Sequence, residues 1–294
     1  MIDHGRRQVG ATLRGRVIGA LLAGACALGV AGCGGGENGA GESPAASAGS
    51  SEVSPAGRLP VVPSPSAPTA PRTMAEEGSL RGKSVVIDPG HNGGNAAHPE
   101  IINKQVDVIT QRKPCDTTGT AGGSLSEASF TWDVSQRLAK ILKAEGAKVV
   151  MTRKNNSGVG PCITERAAIG NKAKADVAIS VHADGAGAGQ HGFHVIGPKP
   201  VNGPVDKVVK QSQRLAYDIR DAFHEAGYAY STYIGKKGLI FRDDLGGLNL
   251  STVPKVFLEC GNMRNQGDLA KMRTPQGRQR IAEAIADGLR DYLT

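Results

Sequence analysis

Four side chains stand where the sequence could do metal chemistry. His91 follows the apolar run 84–88 in Asp88-Pro89-Gly90-His91-Asn92-Gly93-Gly94. His182 closes the run 176–182 in Ser180-Val181-His182-Ala183-Asp184, and Glu259 closes 255–259 in Phe257-Leu258-Glu259-Cys260-Gly261. Glu127 adds a carboxylate at the head of the helical stretch 127–145. Two imidazoles and one carboxylate from separate elements are the donor set of a catalytic zinc centre, which leaves its fourth position open for water. The remaining carboxylate would then act as the base of a metal-assisted hydrolysis.

Other chemistries lack their signatures. Residues 187–192 fit G-x-G-x-x-G, but a strand pattern follows them where a pyrophosphate site needs a helix. No G-x-S-x-G, H-E-x-x-H or P-loop occurs.

The elements that must hold these side chains alternate. Short apolar runs at 84–88, 147–152, 176–182, 192–196, 238–241 and 255–259 read as strands. Helical spacing appears at 127–145 (Phe130, Val134, Leu138, Ile141, Leu142), 164–175, 205–226 and 277–292. The alternation predicts a single α/β domain with a mostly parallel central sheet and helices on both faces. In such sheets ligands bind beyond the carboxyl ends of the strands, where His91, His182 and Glu259 stand.

The 294 residues divide unevenly, because much of the excess in the 41 glycines and 16 prolines falls before residue 80. Residues 1–33 read as a lipoprotein signal peptide. Arginines 6, 7, 14 and 16 precede the apolar run 17–29, which ends in Val30-Ala31-Gly32-Cys33. That ending resembles a lipobox, so Cys33 is the expected lipidation site. Residues 34–79 are rich in Gly, Ser, Ala and Pro and cannot bury enough apolar surface to offset ordering, so a disordered spacer is expected. The catalytic domain then runs over 80–294. The expected location is the outer face of the bacterial cytoplasmic membrane, held through the N-terminal lipid.

Of the formal charge of +8, the first 33 residues carry +3. The modest remainder suits anionic surroundings, but no basic cluster interleaved with aromatics points to nucleic acid. In an oxidising exterior, Cys115 and Cys162, both in loop-like settings, are expected to pair, whereas Cys260, in phase with Val256 and Leu258, should be a buried thiol.

Taken together, Asp88-Pro89-Gly90-His91, the helix-opening Glu127, Ser180-Val181-His182-Ala183 and Glu259-Cys260-Gly261 resemble the zinc-dependent N-acetylmuramoyl-L-alanine amidases of the amidase-3 family, over about 83–292. The resemblance implies that His91, Glu127 and His182 bind Zn2+ and that Glu259 is the catalytic glutamate. It also matches Arg153 and Arg166 to recurrent structural arginines. The implied reaction is hydrolysis of the amide between N-acetylmuramic acid and L-alanine in peptidoglycan or muramyl peptides, by a monomer. The competing expectations are a zinc peptidase acting on stem peptides and a non-catalytic wall-binding lipoprotein.

Overall fold

The computed structural model describes residues 78–294. The signal peptide, Cys33 and the spacer up to residue 77 lie outside the described residues.

Six strands form one sheet in the order β6-β1-β7-β10-β8-β9: β1 (Ser84–Pro89), β6 (Lys148–Met151), β7 (Val177–Asp184), β8 (His194–Pro198), β9 (Leu239–Arg242) and β10 (Lys255–Asn262). Every neighbouring pair is parallel except β10 with β8. The predicted, mostly parallel sheet is therefore present, with one antiparallel joint beside the strand that carries Glu259.

Strand period sorts the side chains of this sheet into two chemistries. Val85 and Ile87 of β1, Ile179 and Val181 of β7, and Val256, Leu258 and Cys260 of β10 join one aliphatic core. That face is covered by α2 (Glu127–Ala144), α4 (Val209–Glu225) and α7 (Pro275–Leu293). α2 contributes Phe130, Val134, Leu138 and Leu142 at four-residue intervals, the stripe that 3.6 residues per turn puts on one side. Each such fully buried side chain stabilises the fold by about 1.5–3 kcal/mol. The alternate positions, Asp88, Ser180, His182, Phe257 and Glu259, look the other way, toward α3 (Ile163–Ala173) and α5 (Gly246–Asn249). Helices thus cover both faces, and the polar face holds the chemistry.

The segment 92–126 has structure that its composition conceals. It forms α1 (Pro99–Ile102), the hairpin β2 (Gln105–Asp107) with β3 (Arg112–Pro114), and the hairpin β4 (Ala121–Gly122) with β5 (Leu125–Ser126). α6 (Gln266–Arg273) also escapes the apolar pattern, and the helix expected from 205 begins as a 3-10 turn over Pro204–Val208. Among the described residues no helix is long and apolar enough to cross a membrane.

Cys115 and Cys162 form a disulfide, with Cα atoms 4.5 Å apart at a sequence separation of 47. It joins the segment after β3 to the start of α3, where the Ile163 amide donates to the Cys115 carbonyl at 2.8 Å. On the chain-entropy view such a closure stabilises the fold by about 4 kcal/mol. Cys260 is a free, buried thiol, and burial, with Glu259 and Glu127 nearby, pushes its pKa well up. In folded, non-reduced protein none of the three should react with iodoacetamide. Cys260 should label on unfolding, and Cys115 and Cys162 only after reduction. Labelling of Cys115 in the folded, non-reduced protein would refute the bridge.

Candidate metal centre

β1 ends at Pro89, and the chain then turns through Gly90 into His91. A Cβ at position 90 would lie 2.2 Å from the His182 ring, so only glycine lets the β1 end pass this close. His91 itself takes φ 57°, left-handed for a residue with a side chain, a conformation that persists where surroundings hold it. Here Arg166 Nη2 donates to the His91 carbonyl at 3.0 Å.

Glu127 is set by the hairpin before it. The Thr120 carbonyl accepts from the Glu127 amide at 2.9 Å, and Glu127 Oε2 accepts from the Thr120 amide at 2.8 Å. Ser126 caps the helix, so Glu127 opens its first turn, where the macrodipole favours a carboxylate. Glu127 Oε1 lies 3.1 Å from His91 Nε2 and 2.9 Å from His182 Nδ1, and it accepts the Ala183 amide at 3.2 Å. One ligand atom from each of the three residues lies within 4.8 Å of the others, and this is the cluster with metal-holding geometry among the described residues.

The hydrogen bonds around the rings test whether a cation fits. His91 Nδ1 faces the Thr117 carbonyl at 3.0 Å, an acceptor, so the ring proton belongs there and the Nε2 lone pair is left pointing at Glu127. His182 Nε2 lies 3.2 Å from Ser180 Oγ, whose own proton goes to Asp88 Oδ2 at 3.0 Å, so its Nδ1 lone pair likewise faces Glu127. Two lone pairs and a carboxylate aimed at one point call for a positive charge. Protons respond to the same demand. Burial works against a charged His91, yet Glu127, with Asp116, raises its pKa to about 10. Burial likewise works against the Glu127 carboxylate, but His91 and His182 hold its pKa far below the ordinary range. Burial pulls His182 down, against the pull of Glu127. The donor set fits a metal cation, which would take the place of the ring proton that Glu127 otherwise draws onto His91.

Glu259 stands beside this cluster and outside it. It lies directly across from His182 of β7 on one side and His194 of β8 on the other, so the three share the polar face. Its Oε2 is buried and has no hydrogen-bond partner. Burial first, then the carboxylates of Glu127 and Asp184, push its pKa well above the ordinary range. No hydrogen bond to Oε2 and a raised pKa set Glu259 apart from an ion-paired structural acid such as Asp88. β10 continues past Glu259 to Asn262 through a register shift, so this residue sits just ahead of an irregularity and not at the strand end the apolar run implies.

His91, Glu127, His182, Asp184, Phe257 and Glu259 line a cavity of about 320 Å³. A wider groove of about 840 Å³, between Arg137 of α2 and the start of α7, is remote in its lining from this cluster. The structure adds Phe257 to the site and shows what Asp88, Asn92 and the expected structural arginine Arg153 hold. Phe257 stacks on His182 at 3.8 Å between centroids. Asp88 is fully enclosed and receives Thr152, Arg166, Ser180 and Lys255. Burial opposes its charge, but Lys255 and Arg166 keep its pKa well below the carboxylate norm. Arg153 donates to the Pro89 and Ala128 carbonyls, tying the end of β1 to the first turn of α2. Asn92 Nδ2 donates to the Gly160 carbonyl at 2.9 Å.

Residues 85–291 match the family model described as N-acetylmuramoyl-L-alanine amidase, amidase-3. The chain belongs to this family. It is 37% identical over 231 residues to the N-acetylmuramoyl-L-alanine amidase Rv3717 of Mycobacterium tuberculosis, spanning 77% of this chain and 92% of that one. Among solved structures, the amidase Ami1 of Mycobacterium smegmatis is 40% identical, with TM-score 0.69, covering 73% of this chain and 98% of that one. The apo form of Ami1 from Mycobacterium abscessus is 42% identical at the same TM-score, over 73% and 100%. The family is typically metal-dependent.

Proposed function

We propose that the protein is a zinc-dependent N-acetylmuramoyl-L-alanine amidase in which His91, Glu127 and His182 hold the metal and Glu259 moves the proton. The observation that carries this is the convergence of His91 Nε2, His182 Nδ1 and Glu127 Oε1, with the unpartnered Glu259 carboxyl next to them. Zinc bound there supplies Lewis-acid polarisation of the lactyl carbonyl and makes water acidic enough to attack near neutral pH. Glu259 takes the proton of the attacking water and delivers it to the L-alanine nitrogen as the C–N bond breaks. Burial and the nearby carboxylates of Glu127 and Asp184 favour the protonated form of Glu259, which suits delivery of that proton to the amine.

The family description favours the muramoyl–alanine bond over the peptidase reading, and the shuttle carboxyl argues against a non-catalytic lipoprotein. Removing metal with 1,10-phenanthroline should abolish release of stem peptides from purified peptidoglycan, and one equivalent of zinc should restore it. Activity that survives full metal removal would sink this reading.

A peptidoglycan substrate supports an exported enzyme. The anchor is proposed to be diacylated Cys33, with 34–79 as the spacer to the catalytic domain at 80–294. Cys33→Ser should move the protein from the membrane fraction to the soluble one, because the spacer is too polar to anchor it. Unchanged membrane association would remove the lipid from the account.

A further inference from the structure

We propose that Arg166 is the positioning residue for the metal site, holding both histidine ligands in their metal-facing tautomers through two separate carboxylates. The proposal rests on the metal reading above and deepens it. Arg166 is 4% exposed, and its Nη1 and Nη2 reach groups beside the two rings, while Nε and Nη2 also hold the Pro161 and Gly160 carbonyls at 2.8 and 3.2 Å.

One arm leads to His182. Arg166 Nη1 donates to Asp88 Oδ1 at 2.9 Å and to the Pro89 carbonyl at 2.7 Å. Asp88 Oδ2 accepts the Ser180 hydroxyl at 3.0 Å, and Ser180 Oγ lies 3.2 Å from His182 Nε2. A hydroxyl has one proton, so a Ser180 that donates to Asp88 must accept from the ring. The His182 proton is thereby placed on Nε2.

The other arm leads to His91. Arg166 Nη2 donates to Asp116 Oδ2 at 3.1 Å and to the His91 carbonyl at 3.0 Å. Asp116 Oδ1 accepts the Thr117 amide at 2.8 Å and lies 3.4 Å from His91 Nδ1, whose nearer partner is the Thr117 carbonyl at 3.0 Å. Thr117 Oγ1 lies 3.2 Å from the same nitrogen and Asn95 Nδ2 donates to the Thr117 carbonyl at 2.8 Å, so Asp116 shares the setting of His91 Nδ1 with these two, and the carbonyl remains the acceptor that requires the ring proton. The His91 proton is placed on Nδ1.

The two rings thus present opposite nitrogens, Nε2 of His91 and Nδ1 of His182, to the same Glu127 oxygen. A tautomer switch or ring flip in either would turn an N–H or a carbon toward the metal. Arg166 and Lys255, which donates to Asp88 Oδ2 at 2.9 Å, balance the charges of Asp88 and Asp116, so the arrangement orients the ligands without adding net charge. A lysine at 166 keeps the positive charge but lacks the planar fork that reaches two carboxylates at once.

The test measures zinc affinity by competition with a chromophoric chelator in wild type, Ser180→Ala, Asp116→Asn, their double mutant and Arg166→Lys. Loss of one outer partner of a metal-bound histidine typically costs 10–100-fold in affinity. Ser180→Ala and Asp116→Asn should each fall in that range, the double mutant should lose about 10²–10⁴-fold, and Arg166→Lys should lose at least as much as the worse single. In the Arg166→Lys background, Ser180→Ala should cost less than it does in wild type, a coupling that general destabilisation does not produce. Cobalt-substituted variants should show altered d–d absorption. If Arg166→Lys does not fold, the two single variants and their double decide alone. Affinities within twofold of wild type for Ser180→Ala and Asp116→Asn, or for a folded Arg166→Lys, overturn the positioning role. A wild type that holds no stoichiometric zinc, or that keeps it after His182→Ala, overturns the metal reading instead.

Discussion

Glu259→Gln is expected to lower turnover by about 10²–10⁴-fold, the usual worth of a positioned acid–base group, while zinc content stays at the wild-type level. The amide has the shape of the carboxyl and can hydrogen-bond, but it cannot accept the proton of the attacking water. The fold should tolerate the exchange. Glu259 Oε2 makes no hydrogen bond, and the neighbouring carboxylates of Glu127 and Asp184 repel its charge, so its removal relieves a like-charge contact. Thermal stability should hold or rise slightly, and the variant should still bind muramyl peptides, which makes it a trap for substrate. Loss of zinc in Glu259→Gln would make this residue a ligand and leave Glu127 as the base. Retained activity would remove the proton shuttle altogether.

The second large effect is expected at the histidines. His182→Ala and His91→Ala should each lose stoichiometric zinc and all measurable amidase activity, because a centre with three protein ligands does not hold its metal well with two. His182→Ala should also cost stability. It removes the ring that stacks on Phe257, and it leaves Ser180 Oγ and Glu127 Oε1 each one partner short in a buried setting. His91→Ala should cost stability as well, because it leaves the buried Asp116 and Glu127 carboxylates each one partner short and puts alanine at φ 57°. Zinc content by inductively coupled plasma mass spectrometry, measured beside the melting curve, separates the two effects. Full zinc occupancy in either variant would take that residue out of the site.

The sheet was legible because its strands alternate so regularly. Val85, Ile87, Ile179, Val181, Val256 and Leu258 mark one face, and that phase alone sends Asp88, Ser180, His182 and Glu259 to the other. The four proposed site residues could be read for the same reason, since three follow or end apolar runs and the fourth opens an amphipathic helix. Cys115 and Cys162 pair as the loop-like settings and the oxidising exterior suggested. What stayed hidden depends on long-range pairing. Asp116 stands 50 residues from Arg166, and Lys255 stands 167 residues from Asp88, so nothing in the local spacing says that these charges meet in the interior. β2 to β5 span two or three residues each, too few to show a period, and they are pinned by distant groups such as Asn249, which donates to the Val108 carbonyl at 2.9 Å. α6 is short and buries only Leu269 and Met272, so its sequence lacks the apolar stripe that betrays α2.

The proposed reaction breaks the bond between the muramic lactyl carbonyl and the L-alanine nitrogen. Digesting purified muropeptides with the enzyme in H₂¹⁸O and locating the label by tandem mass spectrometry shows which bond is cut. Amidase cleavage should leave one ¹⁸O in the lactyl carboxylate of N-acetylmuramic acid and an unlabelled stem peptide with a free L-alanine amine. Label in a peptide carboxylate, with the lactyl amide intact, would contradict it.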